Sequence, residues 1–191
     1  MSKFTENYYE IIEKYKLFHK DGIKNQPGVS TFLGYSLTRW ITKIKKIIEI
    51  NKCESLIDFG CGKAFLYNNS FKIEDMEFRS LSDFWGIKNI HLYDPGVEKY
   101  SIYPKNKHDG VICVDVIEHI PEEDVINFID ELFQLSNKFI FVVIATIPAS
   151  KHFDDGTNIH LCLKDQSIWM DIFGRFKNKY PEIIQYIFFN D

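Results

Sequence analysis

Three short apolar runs in this chain each end in residues able to handle a polar ligand. Asp58-Phe59-Gly60-Cys61-Gly62 closes the first, Asp94-Pro95-Gly96 the second and Asp115-Val116-Ile117-Glu118-His119 the third. Gly60 and Gly62 let backbone approach a ligand with no side chain between. The same pair is expected to open a helix whose free N–H groups face the ligand and hold a carboxylate. Asp94 can accept both hydroxyls of a ribose. Together these groups suit a ligand that carries a ribose and an acid group. Taken singly, each has a plainer reading. A Gly pair after a strand often serves only a tight turn, and Asp before Pro-Gly is commonly a turn residue. Three successive run ends are occupied, a coincidence that turn chemistry alone does not require.

His119 is the first candidate for a general base, because it follows the third run on the ligand side and imidazole titrates near neutrality. Glu118 would hold His119 or line an acceptor pocket. In the plainer reading the Glu118-His119 pair only orients the loop into the next helix. His160 is a second candidate, in a segment able to fold over an acceptor, although a structural role is the favoured reading for a lone His beside apolar residues. His152 and Asp154-Asp155 fall in an expected mobile loop with Gly156 as its hinge. His119, His160 and Asp154 lack the spacing of metal ligands, so no metal is expected.

The elements that must position these groups are legible from periodicity. Tyr8, Ile11, Tyr15 and Phe18 recur at helical spacing between Asn7 and Lys20, and Asn25-Gln26-Pro27-Gly28 reads as a loop. A second helix is expected from Ser36 to Ile50, with Trp40, Ile44, Ile47 and Ile48 on its buried face. Phe32, Trp40 and Tyr8 are candidates to line the cleft. Strands are expected at Ser55–Phe59, Asn89–Asp94, Asp109–Asp115, Lys138–Ala145 and near Tyr186–Phe189. Their continuous apolar character suits a parallel sheet covered on both faces. A helix from Pro121 to Leu135 carries acids at its positive end, and another spans Gln166 to Phe176. Between Tyr67 and Trp85 only a short helix near Ser82 is expected, otherwise loop. The alternation predicts an α/β domain with a mainly parallel sheet. Residues 1–50 form a helical N-terminal cap and 51–191 the core of one domain.

The run Leu56-Ile57-Asp58-Phe59-Gly60-Cys61-Gly62-Lys63-Ala64 resembles the first motif of class I S-adenosylmethionine-dependent methyltransferases. Asp94 resembles the ribose-binding acid of their second strand. Asp109 to Pro121, with Glu118-His119-Ile120-Pro121 at its end, is similar to the fourth-strand motif of their small-molecule subgroup, the type found in quinone biosynthesis. Asn158-Ile159-His160-Leu161 before a helix is similar to that subgroup too. Ser30-Thr31-Phe32-Leu33-Gly34 resembles a group of small uncharacterised bacterial and phage methyltransferases. The resemblance covers the chain from about Glu54 onward. It implies a Rossmann-like three-layer sandwich and S-adenosylmethionine as cofactor. Asp58, Gly60, Cys61 and Gly62 would hold its methionine end, and Asp94 its ribose. Pro95, Val97 or Val116 would pack on its adenine. Backbone around Asp115 and Val116 would flank the sulfonium. Three features depart from the pattern: Ala64 stands at the third glycine, the step from Gly62 to Asp94 is longer than the roughly 20 residues seen in dinucleotide binders, and no clear acidic residue precedes the fourth-strand motif to hold the adenine amine.

Composition narrows the alternatives. The 191 residues are 45% apolar, with 17 Phe and 10 Tyr, enough for an independent core. A net charge of −4 argues against a nucleic-acid partner. Lys43-Ile44-Lys45-Lys46 reads as a solvated helix face. The four Cys form no CxxC pair and are expected as reduced core thiols. With no signal peptide and no apolar run of about 18 residues, a cytoplasmic protein with no membrane partner is expected. An NAD(P)-dependent oxidoreductase would need Gly or Ala where Phe65 stands. A non-catalytic module that binds the cofactor or a nucleoside is the other alternative. The expected substrate is a small-molecule acceptor.

Overall fold

The computed structural model describes residues 3–23 and 26–190; Asn25 of the expected loop lies outside them. Helix α1 (Glu6–Asp21) begins where the Thr5 side chain accepts from the Tyr8 N–H, and it ends at Gly22, whose φ of 96° no side chain adopts readily. Two-residue strands β1 (Gly22–Ile23) and β2 (Gln26–Pro27) pair behind it. The single helix expected from Ser36 is divided. A 3-10 turn covers Tyr35–Arg39, and α2 (Ile41–Ile50) follows. Thr38 Oγ1 donates to the Tyr35 carbonyl, and the Trp40 N–H bonds three residues back to Leu37. Both bonds favour the tighter winding.

After α2 come β3 (Ser55–Phe59), α3 (Phe65–Asn68), the hairpin β4 (Phe71–Ile73) and β5 (Met76–Phe78), α4 (Leu81–Trp85) and β6 (Asn89–Tyr93). The hairpin replaces the expected loop. Its Phe71 and Phe78 rings meet across the strands, and Glu74 turns the chain at φ 52°. Strand β7 (His108–Val114), α5 (Val125–Gln134), β8 (Ser136–Ala145), α6 (Gln166–Lys179) and β9 (Ile184–Asn190) complete the order.

The protein is mixed α/β. Five strands form one sheet in the order β6-β3-β7-β8-β9, and every neighbouring pair is parallel. Alternate side chains feed two cores. Ile57, Val111 and Ile140 pack with α1, α5 and α6; Leu56, Ile112 and Phe141 pack with α2 and α4. Residues Phe139–Ile144 of β8 have no exposed surface, as expected for a central parallel strand covered on both faces. The first strand of the sheet lies between the second and third in sequence. Connections therefore leave β3 and β7 in opposite directions and open a crevice beyond their carboxyl ends. No helix among the described residues is long and apolar enough to cross a membrane.

Candidate functional site

Gly60 leaves β3 at φ 91°, and its N–H donates to the Tyr93 carbonyl at the end of β6. This bond draws two strand ends together. Asp94 then reaches back: its Oδ2 accepts from the Gly62 N–H at 2.8 Å and its Oδ1 from the Gly96 N–H at 2.9 Å. At the end of β7, Asp115 adopts φ 53°, a left-handed conformation that Asp tolerates better than most side chains. Its Oδ1 accepts from Asn190 Nδ2 at 2.6 Å, tying the last strand to the site.

These ends converge on one cavity. Gly60, Gly62, Asp94, Pro95, Asp115, Val116 and His119 line it from the sheet side, and Tyr8, Tyr15 and Phe32 close it from the N-terminal side. Trp40 does not reach it and packs instead on Phe141 and Phe188. The walls are mostly apolar, with polar groups from the strand ends and, from the N-terminal segment, Tyr15, His19 and Ser36, a composition common in small-molecule sites.

Other expected residues stand behind the wall. Cys61 is buried beside Ala64 and Tyr100. Asp58 is turned away from the cavity: its Oδ2 accepts from Tyr67 Oη at 2.8 Å, and burial pushes its carboxyl up to about 7. The glycine pair opens no long helix. Ala64 takes φ 52°, and α3 has only four residues. The expected anion cradle at a helix N-terminus is therefore absent. The physical reason is the cap. The Lys63 and Phe65 N–H groups bond to the Phe32 and Leu33 carbonyls, so amides that would head a helix are already used.

The glycines themselves are required by close approaches within the chain. A Cβ on Gly60 would lie 2.3 Å from Val116 Cγ2, and one on Gly62 would lie 2.3 Å from the Phe32 carbonyl oxygen. Lys63, given no role in the sequence reading, clamps the cap. Its Nζ donates to the Gly28 and Thr31 carbonyls, both at 2.7 Å, and reaches Thr31 Oγ1 at 3.0 Å.

The short turn after β7 carries Glu118 and His119. His119 Nδ1 lies 2.9 Å from the Ile159 carbonyl and 2.6 Å from Tyr15 Oη. A carbonyl only accepts, so Nδ1 carries the proton and Nε2 the lone pair. Burial, with His160 adding to it, pulls the ring down to about 3, so the imidazole is neutral at physiological pH. His160 is held in the same way, with Nδ1 2.7 Å from the Ile147 carbonyl. The two rings meet edge to face at 4.8 Å. Glu118 has no exposed surface. One carboxylate oxygen accepts from the Ala145 N–H at 3.2 Å, and Oε2 has no partner. Burial raises this carboxyl to about 8.

The Glu118 carbonyl also accepts from the Cys162 N–H, so the segment read as foldable over an acceptor is fastened to this turn. The neighbouring loop, expected to be mobile, is tied down as well. Phe153 is buried with Ile11, Phe18 and Ile159, and Asn158 bonds twice to Ala149. His152 and the acids Asp154 and Asp155 are exposed on it, away from the cavity lining. Tyr15 is the site residue that periodicity hid, because a Tyr on a helical stripe is indistinguishable from core. Comparison of the chain with protein-family models, curated proteins and solved structures finds no match in any of the three.

Proposed function

We propose that this chain is an S-adenosylmethionine-dependent methyltransferase with Rossmann-like layering, acting on a small-molecule acceptor. One observation carries the reading: Gly60 and Gly62, Asp94, and Asp115 with Val116 meet at one cavity across the crevice of the sheet. The residues present fit most of such a cofactor. Each Asp94 oxygen keeps a free lone-pair direction beside its amide bond, enough for two ribose hydroxyls. Phe32, Pro95 and Val116 offer an apolar wall for adenine. The amino group of the methionine end falls to backbone carbonyls between Gly60 and Gly62, whose N–H groups already bond to Tyr93 and Asp94, and not to Asp58, which is committed to Tyr67.

When bound, the cofactor supplies an activated methyl group on a sulfonium sulfur. The chain's own part is to align the acceptor and keep water out. Tyr8, Tyr15 and Phe32 shield the cavity from the N-terminal side. His119 presents a neutral ring beside it, placed to orient a group on the acceptor.

A second reading, a binding module without catalysis, is favoured by the glycine contacts: Gly60 and Gly62 are required by Val116 and Phe32 whether or not a ligand binds. Calorimetric titration with S-adenosylmethionine, with NAD(P) as control, tests the class. We expect binding in the micromolar range. Asp94→Ala should weaken it roughly 100-fold, the loss of hydrogen bonds to a charged group. Asp94→Asn, which keeps one acceptor, should weaken it less. NAD(P) binding alone would overturn the proposal, and S-adenosylmethionine binding with no product from any acceptor would favour the module.

A further inference from the structure

Glu118, His119 and His160 each offer one ligand atom, and these atoms lie within 4.8 Å of one another. Sequence spacing gave no support to the two histidines with Asp154 as ligands; the fold leaves that acid exposed and brings Glu118 to the histidines instead. We infer that Glu118, His119 and His160 form a binding site for a divalent transition-metal ion, through two imidazole nitrogens and one carboxylate oxygen.

Three independent features support a built site. First, Glu118 Oε2 is fully buried and without a partner, although a buried carboxylate oxygen ordinarily finds one. A cation at the centre of the cluster would satisfy it. Second, both rings are already oriented as ligands. Each donates its Nδ1–H to a main-chain carbonyl, Ile159 for His119 and Ile147 for His160. That leaves each Nε2 with its lone pair free. Histidines that bind metals are commonly held this way, because the outer hydrogen bond selects the tautomer and stops the ring turning. Third, the pinning carbonyls and His160 all belong to residues 147–160, which the Cys162 N–H and the Glu118 carbonyl fasten to the turn. The ligand geometry is therefore held by backbone.

Metal–ligand bonds of about 2.0–2.2 Å at tetrahedral angles place ligand atoms roughly 3.3–3.6 Å apart. The three ligand atoms, now within 4.8 Å of one another, would draw together around the ion by up to about 1.5 Å. Two nitrogens and one oxygen suit manganese, iron, cobalt or zinc better than calcium or magnesium. Three protein ligands leave further positions open, and His119 lines the cavity, so the open side faces the acceptor. Resting on the methyltransferase reading, this assigns the acceptor to hydroxyl-bearing molecules, whose oxygens such an ion would hold.

The test uses the full chain, stripped with a chelator and free of S-adenosylmethionine, and titrated with Co2+ as the probe. We expect one equivalent to bind with visible ligand-field bands. Glu118→Gln keeps an acceptor for the Ala145 N–H and should weaken binding at least ~10-fold, as should His160→Ala, which is partly exposed and gives a second variant should the buried one fail to fold. Asp154→Ala should leave affinity unchanged. No binding up to millimolar Co2+, or binding indifferent to both ligand variants, overturns the site and makes the cluster a hydrogen-bonded one. Calorimetry with S-adenosylmethionine on the same stripped protein separates the two claims. Cofactor binding without Co2+ binding sinks only the metal site, and the reverse sinks only the methyltransferase reading.

Discussion

Asp58 shows how a residue in a functional motif can act on stability. Its carboxyl is buried against Tyr67, and burial lifts it from the usual 3.8 to about 7. Between these values the unfolded chain is ionised while the folded chain holds the proton. Stability from this group therefore falls as pH rises through the window and stays reduced above it. Asp58→Asn keeps an acceptor for Tyr67 Oη and removes the charge. The variant should gain on the parent, and the gain should grow by roughly 2–3 kcal/mol between pH 5 and pH 8. Urea melts at the two pH values check this; an equal gain at both would show that Asp58 is ionised in the fold throughout. Nearby, Phe32, Ala64 and Asp115 all hold φ values between 45° and 53°. Left-handed conformations at non-glycine residues cost of order 1–3 kcal/mol each, and clusters of them are typical of sites where position matters more than stability.

At the scale of elements, the junction between the N-terminal cap and the loop after β3 depends on Lys63. Its ammonium group meets two carbonyls and a hydroxyl of the cap and lies 3.2 Å from His19 Nδ1. Burial, then Lys63, pulls His19 down to about 4, which keeps the ring an acceptor for that contact. Lys63→Met preserves the stem and removes the donors. We expect a loss of about 2–3 kcal/mol, with amide exchange accelerated at Gly28–Leu33 and unchanged in β8. Uniform acceleration across both would mean that the clamp belongs to the global core. The far end of α1 is tied separately. Thr5 donates through its N–H and its hydroxyl to the buried Asp124 carboxylate just before α5, at 2.9 and 2.5 Å. The helix over the cavity is thus anchored at both ends, which suits a fixed wall better than a swinging lid.

At the scale of the molecule, the terminal strand is both sheet edge and site support. β9 pairs along its whole length with β8, and Asn190 at its end holds Asp115. Deleting residues 184–191 would expose one side of a strand whose centre has no accessible surface. It would also release the cavity loop. The truncated chain should show no cooperative melting transition by circular dichroism. A native-like transition with loss of ligand binding alone would mean that β9 serves only the site.

What the sequence by itself determined are features that repeat along the chain. Continuous apolar runs mark strands buried on two faces, and helical spacing marks α1, α5 and α6, because burial of one face or two leaves a local period. The strand-end residues Gly60, Asp94 and Asp115 were legible as candidates for the same reason: each follows such a run. Tertiary structure alone decided what each does. The hairpin at residues 71–78 and the break at Trp40 depend on contacts and backbone bonds that no period announces. Asp58 turned to Tyr67, and Lys63 to the cap, because the nearest available partner lies elsewhere in the chain. Glu118, His119 and His160 converge only because the segment after β8 folds back onto the turn after β7. Their relation is set by distance through space, which spacing along the chain does not encode.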